Sequence, residues 1–303
     1  MTDPKSATAA FVGLGSMGYG MVQSAIRAGI DCYCRDVRPE PVERILADGA
    51  KGALSAETLI HCDVAIVTVL NAAQTKEVLF GADGIAQHLP KGAVIVSCVT
   101  MAPGVARELE VRCRDVELLF IDAPISGGSL KAASGMLSIL ASGSPEAFAA
   151  AGPVLDAMAE TVFELGDTAG TASAMKAVNQ LLCGVHIAAL GEALTFAATQ
   201  NIPPEQFINV ISKCAGSSWM LENRGPHIVA GDYTPHSAVN IWLKDLEIAG
   251  TLAEQAGAST PLMIAALDQF KAAADAGLGG EDDAAVVKIY AEAAGVTLPG
   301  TKE

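Results

Sequence analysis

A doubly wound α/β domain followed by an all-helical domain is the fold class this sequence predicts, and three observations carry it. Over the first half of the chain, short apolar runs bounded by turn residues alternate with stretches of helical periodicity. The first of those runs leads straight into Gly13-Leu14-Gly15-Ser16-Met17-Gly18, and a glycine turn between a strand and a helix is the context that gives such a motif meaning. From Gly170 onward the strand pattern stops and apolar residues recur at helical spacing. A chain of 303 residues is long for one ordinary core. The change of period therefore sets the expected boundary: residues 1–168 form a Rossmann-type α/β domain, and residues 169–303 form an all-α domain entered through a long helix.

Thr8–Val12 reads as the first strand, and Met21, Val22, Ala25 and Ile26 mark the apolar face of the helix that follows and ends near Gly29. Between them, Gly13 permits the tight turn, Gly15 lets backbone approach a pyrophosphate, and Gly18 lets the helix pack on the strand. The amides of Leu14, Ser16 and Met17 lie at the helix start, where a phosphate is favoured. A second strand, Asp31–Arg35, ends at Asp36, close to the spacing of about 20 residues expected for an acid that accepts ribose hydroxyls. Together they predict a dinucleotide site. A carboxylate there favours NAD, although Arg35 and Arg38 flank it and a guanidinium accepts a 2′-phosphate; a solvated rim is the plainer reading of both arginines.

Further strands are expected over residues 64–70, 93–97, 117–122 and 136–141, with helices between. Ligands sit at strand ends in such sheets, which singles out Val69, Leu70, Asn71 and Thr100 beside the dinucleotide. Another strand end carries Ser126-Gly127-Gly128. A hydroxyl followed by two unobstructed amides suits a carboxylate, although in isolation an ordinary Ser-Gly-Gly turn is the favoured reading.

The helical half begins with a helix of unusual length over residues 171–200, and further helices are expected after Pro203-Pro204 and over residues 218–228, 238–256, 261–274 and 283–293. A lysine within that long apolar helix is unusual, because stripping water from a charge is costly unless something replaces the hydration. Snorkelling to solvent would explain Lys176 alone. At about 100° per residue, however, Lys176, Asn179, Gln180 and Cys183 share one face. His186 flanks that face, either as core filler or as a donor. Trp219 and Asn223 lie one turn apart and are candidates to line a pocket.

Composition removes several classes. With 19 basic against 34 acidic side chains, the net charge of −15 repels nucleic acid and anionic membrane. Polar residues at Asn179, Gln180, His186 and Glu192 interrupt the most apolar stretch short of about 20 residues, so no membrane span is expected. No leader is evident, and seven cysteines without a metal or disulfide spacing fit reduced thiols in a cytoplasm. No metal ligand set is visible. His61, His88, His227 and His236 read as surface residues.

GLGSMGYGM, DAPISGG, GTASAMKAVNQ and the later Lys244-Asp245-Leu246 resemble the four signature stretches of the β-hydroxyacid dehydrogenases, in that order and over almost the whole chain. The resemblance implies an NAD-dependent dehydrogenase in which Lys176 is the catalytic acid–base, Asn179 stands beside it on the substrate, and Ser126, Gly127 and Gly128 clamp a carboxylate. It further implies that Thr100 lies at the nicotinamide, that Lys244 reaches toward the cofactor, and that the chain forms a homodimer or homotetramer through the helical domain. The family often carries a second asparagine where Gln180 stands here. Semi-burial of Lys176 would lower its pKa from about 10.4 toward neutrality. Polar groups at His186 and Asn223 would go unpaired around a methyl group, so a polyhydroxylated acid is the expected substrate; taken with the resemblance, this implies a four-carbon sugar acid oxidised to its 2-oxo acid. The alternatives are the family's tartronate semialdehyde reductase or 3-hydroxyisobutyrate dehydrogenase activities, or an NAD-binding module without turnover.

Overall fold

The computed structural model describes residues 7–300. Two compact units divide between Lys176 and Ala177.

The first unit is built on a sheet whose parallel part runs in the order β3-β2-β1-β4-β5-β6. Its strands are β1 (Thr8–Val12), β2 (Asp31–Arg35), β3 (Gly52–Ala53), β4 (Val64–Val67), β5 (Val94–Ser97) and β6 (Leu119–Asp122). The interleaved helices are α1 (Ser16–Arg27), α2 (Pro39–Ala47), α3 (Ala56–Leu59), α4 (Ala72–Phe80) and α5 (Pro103–Asp115). Strand order reverses between β1 and β4, and the crevice at the carboxyl ends of those two strands is where a doubly wound sheet receives its ligand. The period of two explains the layers. Ala9 and Phe11 of β1, Val64 and Ile66 of β4, and Val94 and Val96 of β5 pack into one core cluster, whereas Ala10, Val12, Ala65, Val67 and Ile95 pack into the other.

The sheet continues beyond β6 through β7 (Ile125–Ser126) and β8 (Leu137–Gly143), with α6 (Gly128–Ser134) between them. β8 runs antiparallel to both β6 and β7. After α7 (Pro145–Met158), β9 (Ala159–Glu164) pairs parallel with β8. That last strand is half exposed and lacks an alternating pattern, so periodicity gives no sign of it. The strand expected over residues 64–70 stops at Val67, because Thr68 turns its hydroxyl back onto Gly13 O at 2.6 Å.

α8 (Thr171–Thr199) begins in the first unit and runs into the second, which adds α9 (Pro204–Ile211), α10 (Trp219–Ala230), α11 (Val239–Gln255), α12 (Pro261–Ala273) and α13 (Val287–Ala294). Ile187, Leu190 and Leu194 of α8 enter its core with Leu246, Met263 and Phe270. Trp242 and Phe270 stack there with ring centroids 5.6 Å apart. By length and composition α8 could cross a bilayer; here one face of it fills a core, while Met175, Val178, Leu182 and Phe196 are exposed. The helix expected over residues 283–293 opens as a tight turn, Asp283–Val286, and becomes regular only at Val287.

Candidate functional site

At the switch point, the turn after β1 is a close-packed cradle. Gly13 has φ +98°, and a Cβ on Gly18 would sit 2.0 Å from Gly13 O and 2.5 Å from Thr68 Oγ1. Only hydrogen fits at Gly18. Gly15 is the opposite case: a Cβ there would meet nothing within 4 Å, so its outer side is open. It caps α1 without a side-chain hydrogen bond, which leaves the helix's first amides for a ligand. Asp36 closes the cradle. Its Oδ2 accepts from Leu14 N at 2.7 Å and its Oδ1 from Arg38 N at 2.9 Å. Burial works to raise its carboxyl, but those two amides and the Arg38 guanidinium outweigh it and hold the group below the usual carboxylate range. Arg35, by contrast, is turned to Asp83 O at 3.3 Å. An open, amide-lined helix start beside an ionised carboxylate fits a dinucleotide: Leu14 to Gly18 would hold the pyrophosphate and Asp36 a ribose.

Around the cradle, Thr68 was missed by motif reasoning; only the pairing of β1 with β4 brings it to Gly13. Val69 and Leu70 follow it in the loop, where Leu70 N donates to Gln74 Oε1 and Asn71 Oδ1 caps α4 by accepting from Gln74 N at 2.9 Å. Thr100 lies beyond the end of β5, after the buried pair Cys98 and Val99.

The second focus of the first unit is the start of α8. Asp122, fully buried at the end of β6, accepts from Gly170 N at 3.0 Å, Ser173 N at 2.9 Å and Ser173 Oγ at 2.8 Å. Ser142 Oγ accepts from Ala172 N at 3.1 Å. The sheet's own side chains thus cap the helix. Burial raises the Asp122 carboxyl above its ordinary value, against the lowering effect of the Ser173 and Gly170 bonds. One turn farther on, Lys176 is only 7% exposed, and its Nζ donates to Ile125 O at 2.8 Å. The side-chain nitrogen does not snorkel to solvent; it is held by the carbonyl that immediately precedes Ser126. Gly127 and Gly128 follow with φ +130° and +78°.

Within the second unit, Asn179 Nδ2 donates to Gln180 Oε1 at 3.1 Å and to Cys183 Sγ at 3.5 Å, which places three residues of the expected face in one network. Gln180 Nε2 continues it to Asp245 Oδ2 at 2.6 Å, and Lys244 Nζ approaches Asp245 Oδ1 at 2.6 Å. Asp245 is a residue that helical projection could not find, 65 positions from its partner. His186 is half-buried on α8, and Trp219 stands half-exposed at the start of α10. The Asn223 Oδ1 accepts from Arg224 Nη1. His227, expected at the surface, is instead half-buried with Nδ1 3.0 Å from Asp282 Oδ1. The cysteines are free thiols, and burial pushes those of Cys34, Cys62 and Cys98 up to about 12. Among the described residues no group of His, Cys, Asp and Glu could hold a metal ion.

Residues 8–166 match the family described as the NAD binding domain of 6-phosphogluconate dehydrogenase, and residues 170–290 match that described as NAD-binding of NADP-dependent 3-hydroxyisobutyrate dehydrogenase. The chain is 45% identical over 293 residues to an L-threonate dehydrogenase of Cupriavidus necator, a match that covers 96% of this chain and 98% of that protein. With an L-threonate dehydrogenase of Escherichia coli the identity is 44% over 296 residues, 96% of each chain. A crystal structure of a 3-hydroxyisobutyrate dehydrogenase from Salmonella typhimurium superposes with a TM-score of 0.90 at 42% identity, covering 94% of this chain and all of that one.

Proposed function

We propose a substrate and a division of labour from one premise: this chain belongs to the β-hydroxyacid dehydrogenase family and is an NAD-dependent dehydrogenase of hydroxy acids. The substrate we infer is L-threonate, oxidised at carbon 2 to the 2-oxo acid. The near full-length similarity to L-threonate dehydrogenases carries this reading. The polar groups support it, since the side chains of Asn223 and His186 offer hydrogen bonds to distal hydroxyls and would be left unpaired beside a methyl group, at about 1–3 kcal/mol each when buried.

In this reading Ser126, Gly127 and Gly128 hold the substrate carboxylate. Lys176, as the neutral amine, takes the hydroxyl proton at Nζ as the hydride leaves the carbinol carbon, and Asn179, one turn along α8, holds the lysine or the hydroxyl in geometry. When bound, NAD supplies the hydride acceptor. Leu14 to Gly18, Asp36, and the loop of Val69, Leu70 and Asn71 hold that cofactor, with Thr100 and Lys244 toward its nicotinamide. Met175, Val178, Leu182 and Phe196 form an exposed apolar line along α8, which supports self-association as a dimer or tetramer. A cytoplasmic location accords with the free thiols.

The deciding experiment is a substrate panel followed by NADH absorbance. L-threonate should give a kcat/KM at least about tenfold above 3-hydroxyisobutyrate and D-glycerate, a difference of roughly 1.4 kcal/mol in transition-state binding. Equal efficiency with 3-hydroxyisobutyrate would move the assignment to the activity named for the Salmonella structure.

A further inference from the structure

We infer that Gln180 and Asp245 are positioning residues that fix the direction of the Asn179 amide, so that Asn179 presents its carbonyl oxygen, and not its NH2, to the acid–base amine of Lys176 one turn before it. The inference rests on the reading that Lys176 is the acid–base group; the direction of the Asn179 amide follows from donor and acceptor chemistry within the second unit.

The two ends of a Gln or Asn amide have nearly the same shape, so the network around it decides which end points where. Here the network starts from groups without that ambiguity. Lys244 Nζ can only donate, and an ionised carboxylate can only accept. Lys244 Nζ stands 2.6 Å from Asp245 Oδ1 as an ion pair. The other oxygen, Oδ2, faces Gln180 at 2.6 Å. It offers no proton, so Gln180 must turn its NH2 toward Asp245 and its Oε1 toward Asn179. Oε1 then requires a donor, which the Asn179 NH2 provides at 3.1 Å while also reaching Cys183 Sγ at 3.5 Å. The remaining heteroatom of the Asn179 amide is Oδ1. Gln180 and Asp245 are only 7% and 2% exposed, so little water is at hand to let the chain of amides turn over.

The polarity matters to the chemistry. The hydroxyl has one proton and gives it to Lys176 Nζ, so what an acceptor on Asn179 can align is the lysine: the N–H bonds that the neutral amine does not turn to Ile125 O, and the ammonium that the transfer creates. An NH2 in the same place would set donor against donor in both forms. This also gives a physical use to Gln180 where the family often has a second asparagine: the longer side chain spans from Asn179 to the carboxylate on α11.

The test inverts the polarity without changing the shapes. In Asp245→Asn the Lys244 ammonium draws the new amide oxygen, the new NH2 faces Gln180, Gln180 must accept with Oε1, and Asn179 is driven to turn its oxygen inward. Adding Gln180→Glu places an acceptor-only group between two amides and turns Asn179 back. Turnover is followed on whichever hydroxy acid the unmodified enzyme oxidises fastest, so a wrong substrate assignment leaves the test intact. Asp245→Asn should lower kcat by at least about tenfold, and the double variant should return to within about threefold of the unmodified enzyme. Any change at Lys244 is common to both variants and is read separately from their NADH dissociation constants. A purely structural role predicts the reverse order, with two substitutions worse than one, and that result, or a fully active Asp245→Asn enzyme, would overturn the inference. In the unmodified protein, hydrogen exchange of the Asn179 side-chain amide checks the same point whatever the variants' stability: slow exchange is expected, and exchange as fast as that of a solvent-facing asparagine contradicts the inward NH2.

Discussion

Both units bury carboxylates completely, and they satisfy them by opposite means. In the first, Asp122 accepts two backbone amides and one hydroxyl, all neutral donors from the start of α8. In the second, Asp283 accepts from Arg224 Nε at 2.5 Å, Arg224 Nη2 at 3.1 Å and Trp242 Nε1 at 2.8 Å, while its neighbour Asp282 takes His227 and the amides of His236 and Ala284. A carboxylate met by neutral donors can lose its charge and keep its bonds. One met by a guanidinium cannot, because removing either partner strands the other in a medium that does not hydrate it. The helical unit should therefore be held by charge, and the sheet's grip on α8 by hydrogen-bond count.

The largest effect follows from that contrast. Arg224→Met keeps volume but leaves Asp283 unpaired, and it should destabilise the protein by about 3–5 kcal/mol, the usual cost of breaking a buried pair from one side. Urea unfolding would report it as a fall in midpoint. A variant that melts with the unmodified protein would show that Trp242 alone satisfies Asp283 and would dissolve the distinction between the units.

Lys176→Ala comes next and probes the last residue of the first unit. Turnover should fall at least about a hundredfold, as for other positioned acid–base groups, with NADH affinity nearly unchanged. The melting temperature should hold or rise slightly, since a buried amine is lost. Near-normal turnover would remove Lys176 from the mechanism and with it the reason for its burial.

Legibility in the sequence follows the same divide. The cradle could be read because Gly13, Gly15, Gly18 and Asp36 belong to consecutive elements whose spacing is set by one strand, one helix and one strand. Lys176, Asn179 and Gln180 could be read because a helix fixes its own face. What was hidden depends on pairing across the chain. Thr68 reaches Gly13 through the β1–β4 register, Asp122 reaches Gly170 across 48 positions, and Asp245 reaches Gln180 across 65. A lone Asp in an apolar strand or helix carries no local mark of its partner. His227 was assigned to the surface for the same reason: its companion Asp282 lies 55 positions away.

A smaller effect tests Asp36. The unmodified enzyme should prefer NAD over NADP throughout the neutral and alkaline range, because a carboxyl held below its ordinary pKa stays charged there. Asp36→Ala should narrow the ratio of the two kcat/KM values by at least about tenfold, or ~1.4 kcal/mol, since the repulsion is gone and Arg38 is released to meet a 2′-phosphate. An unmodified enzyme that prefers NADP would show Arg38 already in that role.

The smallest effect is expected at Asp122 itself, and it returns to the opening contrast. In Asp122→Asn the amide oxygen can accept from Gly170 N and Ser173 N as Oδ2 does now, while the NH2 donates to Ser173 Oγ, a hydroxyl able to accept as readily as it donates. The three bonds survive with one reversed. Two charge effects then oppose each other. Loss of the anion at the start of α8 costs about 0.3–1 kcal/mol of helix-dipole attraction. Against it, burial raises the Asp122 carboxyl in the fold, so its contribution to stability is present below the unfolded pKa and lost as pH rises through the folded one; a neutral amide escapes that loss. The net change at neutral pH should lie within about 1 kcal/mol, with turnover within about threefold because Lys176 stays one turn beyond an intact cap. Thermal melts at several pH values read both parts: the variant should gain on the unmodified protein as pH rises. A loss as large as that of Arg224→Met, or one that grows with pH, would mean the sheet holds α8 by charge after all.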